Sequence, residues 1–156
     1  MSAKVVQLHN EPYHYRTSGL DNVYLKNGFV LQDIDGYGET VSFDYLMELH
    51  ECINQILCTA RYRLTGKELK FLRKDRGISR KRMALCLDVA NSALKNVESK
   101  TQFSSLETRI RAICISEEPI GYAEFLSNFE LTASHERPIK MIFQYSNRKW
   151  QLTKDQ

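Results

Sequence analysis

The stretch from Ser79 to Glu98 constrains the fold more than any other part of the chain. Ser79 can cap a short helix that runs to about Leu87, and Asn91 or Ala90 can open another that runs to about Ser99. Two short helices that cross closely need a small residue at the crossing, and Ala84 stands there. Four positions later the chain must turn sharply. Asp88 occupies that place, and Asp tolerates a left-handed backbone better than most residues. Past the turn, Leu94 and Val97 are spaced to plug the angle between the helices, and Met83, Leu87 and Val89 complete a small core. These positions agree in one register: helix, tight turn, helix.

The flanking segments divide by hydrophobic period. Alternation from Tyr13 to Phe43 predicts strands. Val23–Lys26 and Phe29–Gln32 flank Asn27-Gly28, the strongest short hairpin signal, and Asp35-Gly36-Tyr37-Gly38 leads into Thr40–Phe43. From Asp44 the period becomes helical, with Leu46, Leu49, Ile53, Ile56, Leu57 and Ala60 on one face. This predicts a helix over Asp44 to Tyr62 capped by Ser42 or Asp44. Thr65 and Glu68 have the capping-box spacing for a further helix, which Gly77 ends. Another runs from Ser104 or Ser105 to about Ile115, with Leu106, Ile110, Ile113 and Cys114 apolar. Pro119-Ile120-Gly121 predicts a break and Tyr122 to Phe129 a short helix. Lys140–Tyr145 and Lys149–Thr153 predict a hairpin that carries Trp150. The class expected is α+β, divided into an N-terminal β-α module over 1–62, a helix-turn-helix domain over 63–116 and a C-terminal extension with a β-hairpin over 117–156.

Charge is segregated along the chain, although the 156 residues sum to only +3. Met1 to Ala60 holds 3 Lys/Arg against 8 Asp/Glu, a net of −5; Arg61 to Arg111 holds 14 against 5, a net of +9; the remainder nets −1. A basic block that coincides with the patterned helices points to nucleic acid. No apolar run reaches the roughly 18–20 residues of a membrane span, and the opening MSAKVVQLHNEP lacks an apolar signal core, so a cytoplasmic protein is expected. Cys52, Cys58, Cys86 and Cys114 contain no Cys-x-x-Cys pair, and His9, His14, His50 and His135 are scattered, so no zinc site and no cofactor are expected. Asn54 stands where a His-Glu-x-x-His motif starting at His50 would need its second His. Asp33, Asp35, Glu39 and Asp44 are read as turn and strand-face residues rather than metal ligands. With no nucleophile, Walker or metal-ligand spacing, an enzyme is not expected.

The run LTGKELKFLRKDRGIS followed by RKRMALCLDVANSALKNVE resembles the Xre/Cro/phage-repressor family of helix-turn-helix domains, from about Leu64 to Ser116. More narrowly, Tyr13 to Glu98 resembles the two-part antitoxin-regulators of the MqsA/YgiT type, in which a small N-terminal domain precedes LTG-x-E-(apolar)-x-x-LRK. That family's N-terminal half binds zinc through two Cys-x-x-Cys pairs. This chain has neither, so the resemblance implies DNA binding together with a zinc-free N-terminal module.

The resemblance also implies roles. The helix opening at Asn91 would enter the major groove, with Asn91, Ser92, Lys95 and Asn96 at base edges; Asn suits adenine, Lys guanine and Ser either. Arg80, Lys81 and Arg82 would contact phosphates, with Lys67, Lys70, Lys74 and Lys100 extending the footprint and making binding salt-sensitive. Arg73 and Glu98 would form an internal ion pair. One such motif reads few base pairs, so a homodimer on a palindromic double-stranded operator is expected. The helix over 44–62 and the apolar hairpins are its natural dimerisation material. The function expected is a sequence-specific, autoregulatory transcriptional repressor. The alternative is an antitoxin whose acidic N-terminal half neutralises a basic cognate toxin.

Overall fold

Strand alternation at both ends of the chain and helical periodicity between them produce an α+β fold. The computed structural model describes residues 3–5, 11–60, 62–100, 104–115 and 137–153. The break expected at 119–121 and the helix expected over 122–129 lie outside them. Among the described residues there are seven strands and five helices. The strands are β1 (Ala3–Val5), β2 (Tyr13–His14), β3 (Val23–Leu25), β4 (Phe29–Ile34), β5 (Gly38–Phe43), β6 (Met141–Ser146) and β7 (Lys149–Leu152). The helices are α1 (Leu46–Cys58), α2 (Gly66–Asp75), α3 (Arg80–Leu87), α4 (Asn91–Ser99) and α5 (Glu107–Cys114). None of these helices is long and apolar enough to cross a membrane.

The chain forms two compact units, and they differ from the division expected along the sequence. One gathers residues 1–17, 21–49 and 139–156; the other holds 18–20 and 50–138. The C-terminal hairpin is therefore not a separate extension. Its strand β6 pairs in parallel with β3, in register from Val23↔Met141 to Leu25↔Phe143, inside a sheet of order β2-β3-β6-β7. A parallel partner more than a hundred residues away leaves no local signal in sequence. The boundary expected at 62 also moves, because α1 starts in the first unit and continues in the second. Helix α1 is shorter than the expected 44–62, and Tyr45, just before it, has a positive φ of 55°.

The hairpin expected at Asn27-Gly28 does not form. Strands β3 and β4, on either side of it, belong to different sheets, the second having the order β1-β4-β5. Asn27 is instead consumed by β6: Tyr145 N donates to its Oδ1 at 2.6 Å and its Nδ2 donates to Tyr145 O at 3.0 Å. Gly28 supplies the left-handed backbone, φ +78°, and lies under Trp150; an added Cβ would stand 2.4 Å from the indole. The indole Nε1 in turn donates to Tyr45 O at 3.0 Å. This turn passes the chain from one sheet to the other and is held by a distant aromatic ring. The other two expected hairpins are present. Strands β4 and β5 pair from Phe29↔Phe43 to Ile34↔Gly38, and β6 and β7 meet at Asn147-Arg148, both with positive φ as a tight two-residue turn requires. Val23, Leu25, Met141, Phe143 and Trp150 are buried in this unit.

In the second unit the connection between α1 and α2 is fastened by buried ions. Arg111 donates to the carbonyls of Ala60 (2.8 Å) and Tyr62 and to Glu107 Oε1 (2.9 Å). Glu107 also accepts from Leu64 N and from Arg63 Nε. Each charge is matched and hydrogen-bonded, which a buried ion requires.

Gly28→Ala should cost about 2–4 kcal/mol, joining an overpacked contact to a left-handed backbone penalty. The readout is a lower urea midpoint at unchanged slope. A midpoint equal to the parent's would mean that Trp150 yields without cost.

Candidate nucleic-acid interface

Local sequence signals build the helical unit. At α2, Thr65 N donates to Glu68 Oε1 (2.9 Å) within a reciprocal capping box, and Gly77 follows with φ +69°. At α3, Ser79 Oγ accepts from Arg82 N at 3.1 Å. Asp88 ends α3 in the left-handed region (φ 55°, ψ 48°), and Val89 N donates to Ala84 O at 3.0 Å, closing the turn. Ala90, extended, precedes α4. Met83, Ala84, Leu87 and Leu94 are buried, while Val89 and Val97 are half-buried. The apolar plug is thus centred on Leu94.

Helix α4 is oriented by what it buries. Leu94 and Glu98, four residues apart, share the inward face. Asn91, Ser92, Lys95 and Asn96 are exposed; Ser92, Lys95 and Asn96 turn away from that face, and Asn91, on the same stripe as Leu94, is exposed in the first turn. Glu98 is 4% exposed and stands in the last turn, where the helix dipole disfavours a carboxylate. Two guanidinium groups offset that. Arg73 of α2 binds bidentately, Nε to Oε2 at 2.6 Å and Nη2 to Oε1 at 3.0 Å, and its Nη1 donates to Ile78 O at 2.9 Å. Arg80 of α3 adds Nε to Oε1 at 3.1 Å. One carboxylate therefore ties α2, α3 and α4 together.

The expected phosphate-contacting residues separate into groups. Lys81 and Arg82 are exposed on the first turn of α3, Lys74 and Lys100 are exposed, and Lys70 is half-buried. Arg80, also expected to contact phosphate, is half-exposed and donates from its Nε to Glu98. In sequence it cannot be told from its two basic neighbours, because only the fold reveals which of three consecutive cations meets the carboxylate.

Gly66 was not singled out by sequence. A Cβ there would stand 2.0 Å from Val97 O and 2.5 Å from Lys100 O, and its own N donates to Lys100 O at 3.1 Å. The start of α2 thus touches the end of α4 through bare backbone. A glycine in the first position of a helix, where it costs propensity, was the available signal.

Among the described residues, no three His, Cys, Asp or Glu side chains are placed to hold a metal ion. Burial pushes the Cys58 and Cys114 thiols up to about 12 and raises that of Cys52; Cys86 is exposed on α3. The chain matches no family model, no curated protein and no solved structure.

Removing the carboxylate should be costly. Glu98→Ala leaves the half-exposed Arg80 and the buried Arg73 uncompensated and should lower stability by about 3–5 kcal/mol, whereas Arg80→Gln should cost no more than about 1 kcal/mol. Equal losses in denaturant titrations would remove Arg73 from its dominant place. For the thiols, a raised pKa leaves almost no thiolate at neutral pH. An aromatic disulfide reagent should therefore modify Cys86 first and Cys58 and Cys114 only on unfolding. Rapid reaction of four thiols in the native protein would contradict the burial.

Proposed function

We propose that the chain is a sequence-specific DNA-binding transcriptional regulator of the helix-turn-helix type, acting in the cytoplasm as a dimeric repressor of its own gene on a palindromic operator. The supporting observation is the exposed face of α4. Asn91, Ser92, Lys95 and Asn96 project from a short helix that Glu98, Leu94 and Gly66 fix from behind, and exposed Lys81 and Arg82 stand at the start of the preceding helix. A helix presented this way fits the major groove, with amide and ammonium groups aimed at base edges and cations beside the phosphates.

A second function, neutralisation of a basic toxin by protein contact, is favoured by one feature. Residues 27–49 contain five carboxylates and no Lys or Arg. Coexpression with the product of an adjacent small gene distinguishes the two: rescue of growth by a variant lacking DNA binding would favour neutralisation.

The repressor reading is tested by footprinting on the DNA upstream of its own gene across a salt series. Asn91→Ala and Asn96→Ala should each weaken specific binding by about 1–3 kcal/mol and leave non-specific binding intact. Lys81→Gln and Arg82→Gln should weaken all sequences alike and lower the salt slope by about 1 each. No footprint at low salt, or parallel losses on specific and random DNA for the Asn variants, would overturn these assignments.

A further inference from the structure

The carboxylates of the first unit are not spread over it. Five of them, Asp33, Asp35, Glu39, Asp44 and Glu48, fall within 27–49, where there is no Lys or Arg. The strands of the β2-β3-β6-β7 sheet contain no carboxylate at all. That sheet has one buried face, formed by Val23, Leu25, Met141, Phe143 and Trp150. By the pleat and the pairings His14↔Tyr24↔Ile142 and Gln144↔Gln151, its other face presents His14, Tyr24, Ile142, Gln144, Lys149 and Gln151.

Cations accumulate on this outward face. Arg16 Nε donates to His14 Nδ1 at 3.1 Å, His14 stacks on Tyr24 with ring centres 4.4 Å apart, and Lys140 Nζ lies 5.0 Å from the Tyr24 ring centre. His14 Nε2 lies 2.7 Å from Asp21 O. Because Nδ1 accepts from Arg16, Nε2 carries the proton and donates to that carbonyl. Two rings thus hold two cations in place across three strands. Lys26, in phase with Tyr24 along β3, and Lys149 of β7 are exposed on the same side.

None of these four cations forms an ion pair with a described carboxylate. In the helical unit, by contrast, Arg63, Arg73, Arg76, Arg80, Arg111 and Arg137 all do. Four cations that pair with no described carboxylate, two of them held by rings, lie beside strands that contain no carboxylate and create a surface complementary to an extended polyanion. Ordering Arg16 and Lys140 in advance also removes part of the entropy cost of binding.

We propose that the outward face of the β2-β3-β6-β7 sheet is a second nucleic-acid contact, separate from α3 and α4, which takes the phosphodiester backbone on Arg16, Lys26, Lys140 and Lys149. It does not depend on the role assigned to α4.

The test uses the full chain with all four residues changed to Gln, beside a Lys81→Gln/Arg82→Gln chain, on a random-sequence duplex and an oligothymidylate of equal length. The sheet variant should bind at least about tenfold more weakly near physiological salt. Its salt slope should fall by about 0.9 per lost phosphate contact on duplex, or about 0.7 on the single strand. A loss confined to one probe identifies which form the face takes. The Lys81/Arg82 variant should keep the share of binding that belongs to the sheet, so failure of the α4 assignment and failure of this one give different patterns. Circular dichroism and thermal midpoint check the fold, and Lys140→Glu, a single exposed change, should alone weaken binding severalfold. Parental affinity and slope on both probes would overturn the proposal. So would a sheet variant whose only change, by sedimentation, is loss of self-association; the occupant would then be the acidic stretch 27–49 of a second copy of the chain.

Discussion

Everything exposed on α4 depends on the Glu98 carboxylate. A helix of nine residues has too few internal hydrogen bonds to persist in water, so its form and direction come from tertiary contacts. Leu94 in the plug holds its middle, and two contacts converge on its C-terminal end: Glu98 between Arg73 and Arg80, and backbone contact with Gly66. The first turn, by contrast, is open, with Asn91, Ser92 and Ala93 exposed. The helix is anchored at one end and presented at the other. The same geometry fixes which residues the helix can offer: with 94 and 98 inward, the 3.6-residue period directs 92, 95 and 96 away from the core, while 91, on the inward stripe, is exposed because it opens the first turn.

What was legible in sequence was local. The Thr65 capping box, Gly77, the Ser79 cap and the left-handed Asp88 each depend on a few neighbouring residues, and each is where the spacing predicts. Asn27-Gly28 shows the opposite case. The pair carries the same conformational permission whether the chain folds back on itself or crosses to another sheet. The choice was made by Trp150 on Gly28 and by the Tyr145 backbone on Asn27, contacts more than a hundred residues distant. Arg80 failed to declare itself for a related reason. A run of three cations at a helix start reads alike in sequence, although one of them turns inward to a carboxylate eighteen positions on.

Summing charge by sequence segment blurred a sharper division. The −5 over the first sixty residues suggested an acidic half, yet Arg16 and Lys26 lie on a sheet completed by strands from the other end of the chain, and that sheet is basic. The acidic character belongs to residues 27–49. Folding re-sorts charge because pairing ignores chain order, so a segment sum tracks a surface only where the segment is itself a structural unit.

The +9 of residues 61–111 needs the same correction, and its resolution separates the two basic side chains by chemistry. Arg63, Arg73, Arg76, Arg80 and Arg111 are each set against a carboxylate, in several cases with further bonds to backbone carbonyls. A planar fork with five donors can satisfy a carboxylate and a carbonyl at once, which makes it the cation suited to burial. Lys74, Lys81, Lys95 and Lys100 are exposed. A compact, strongly hydrated ammonium on a flexible stem gains little from burial and suits contact with a phosphate through solvent. The external field over α3 and α4 is therefore mainly a lysine field joined by Arg82. The arginines that raise the formal charge of this segment serve chiefly to hold the helices that display it.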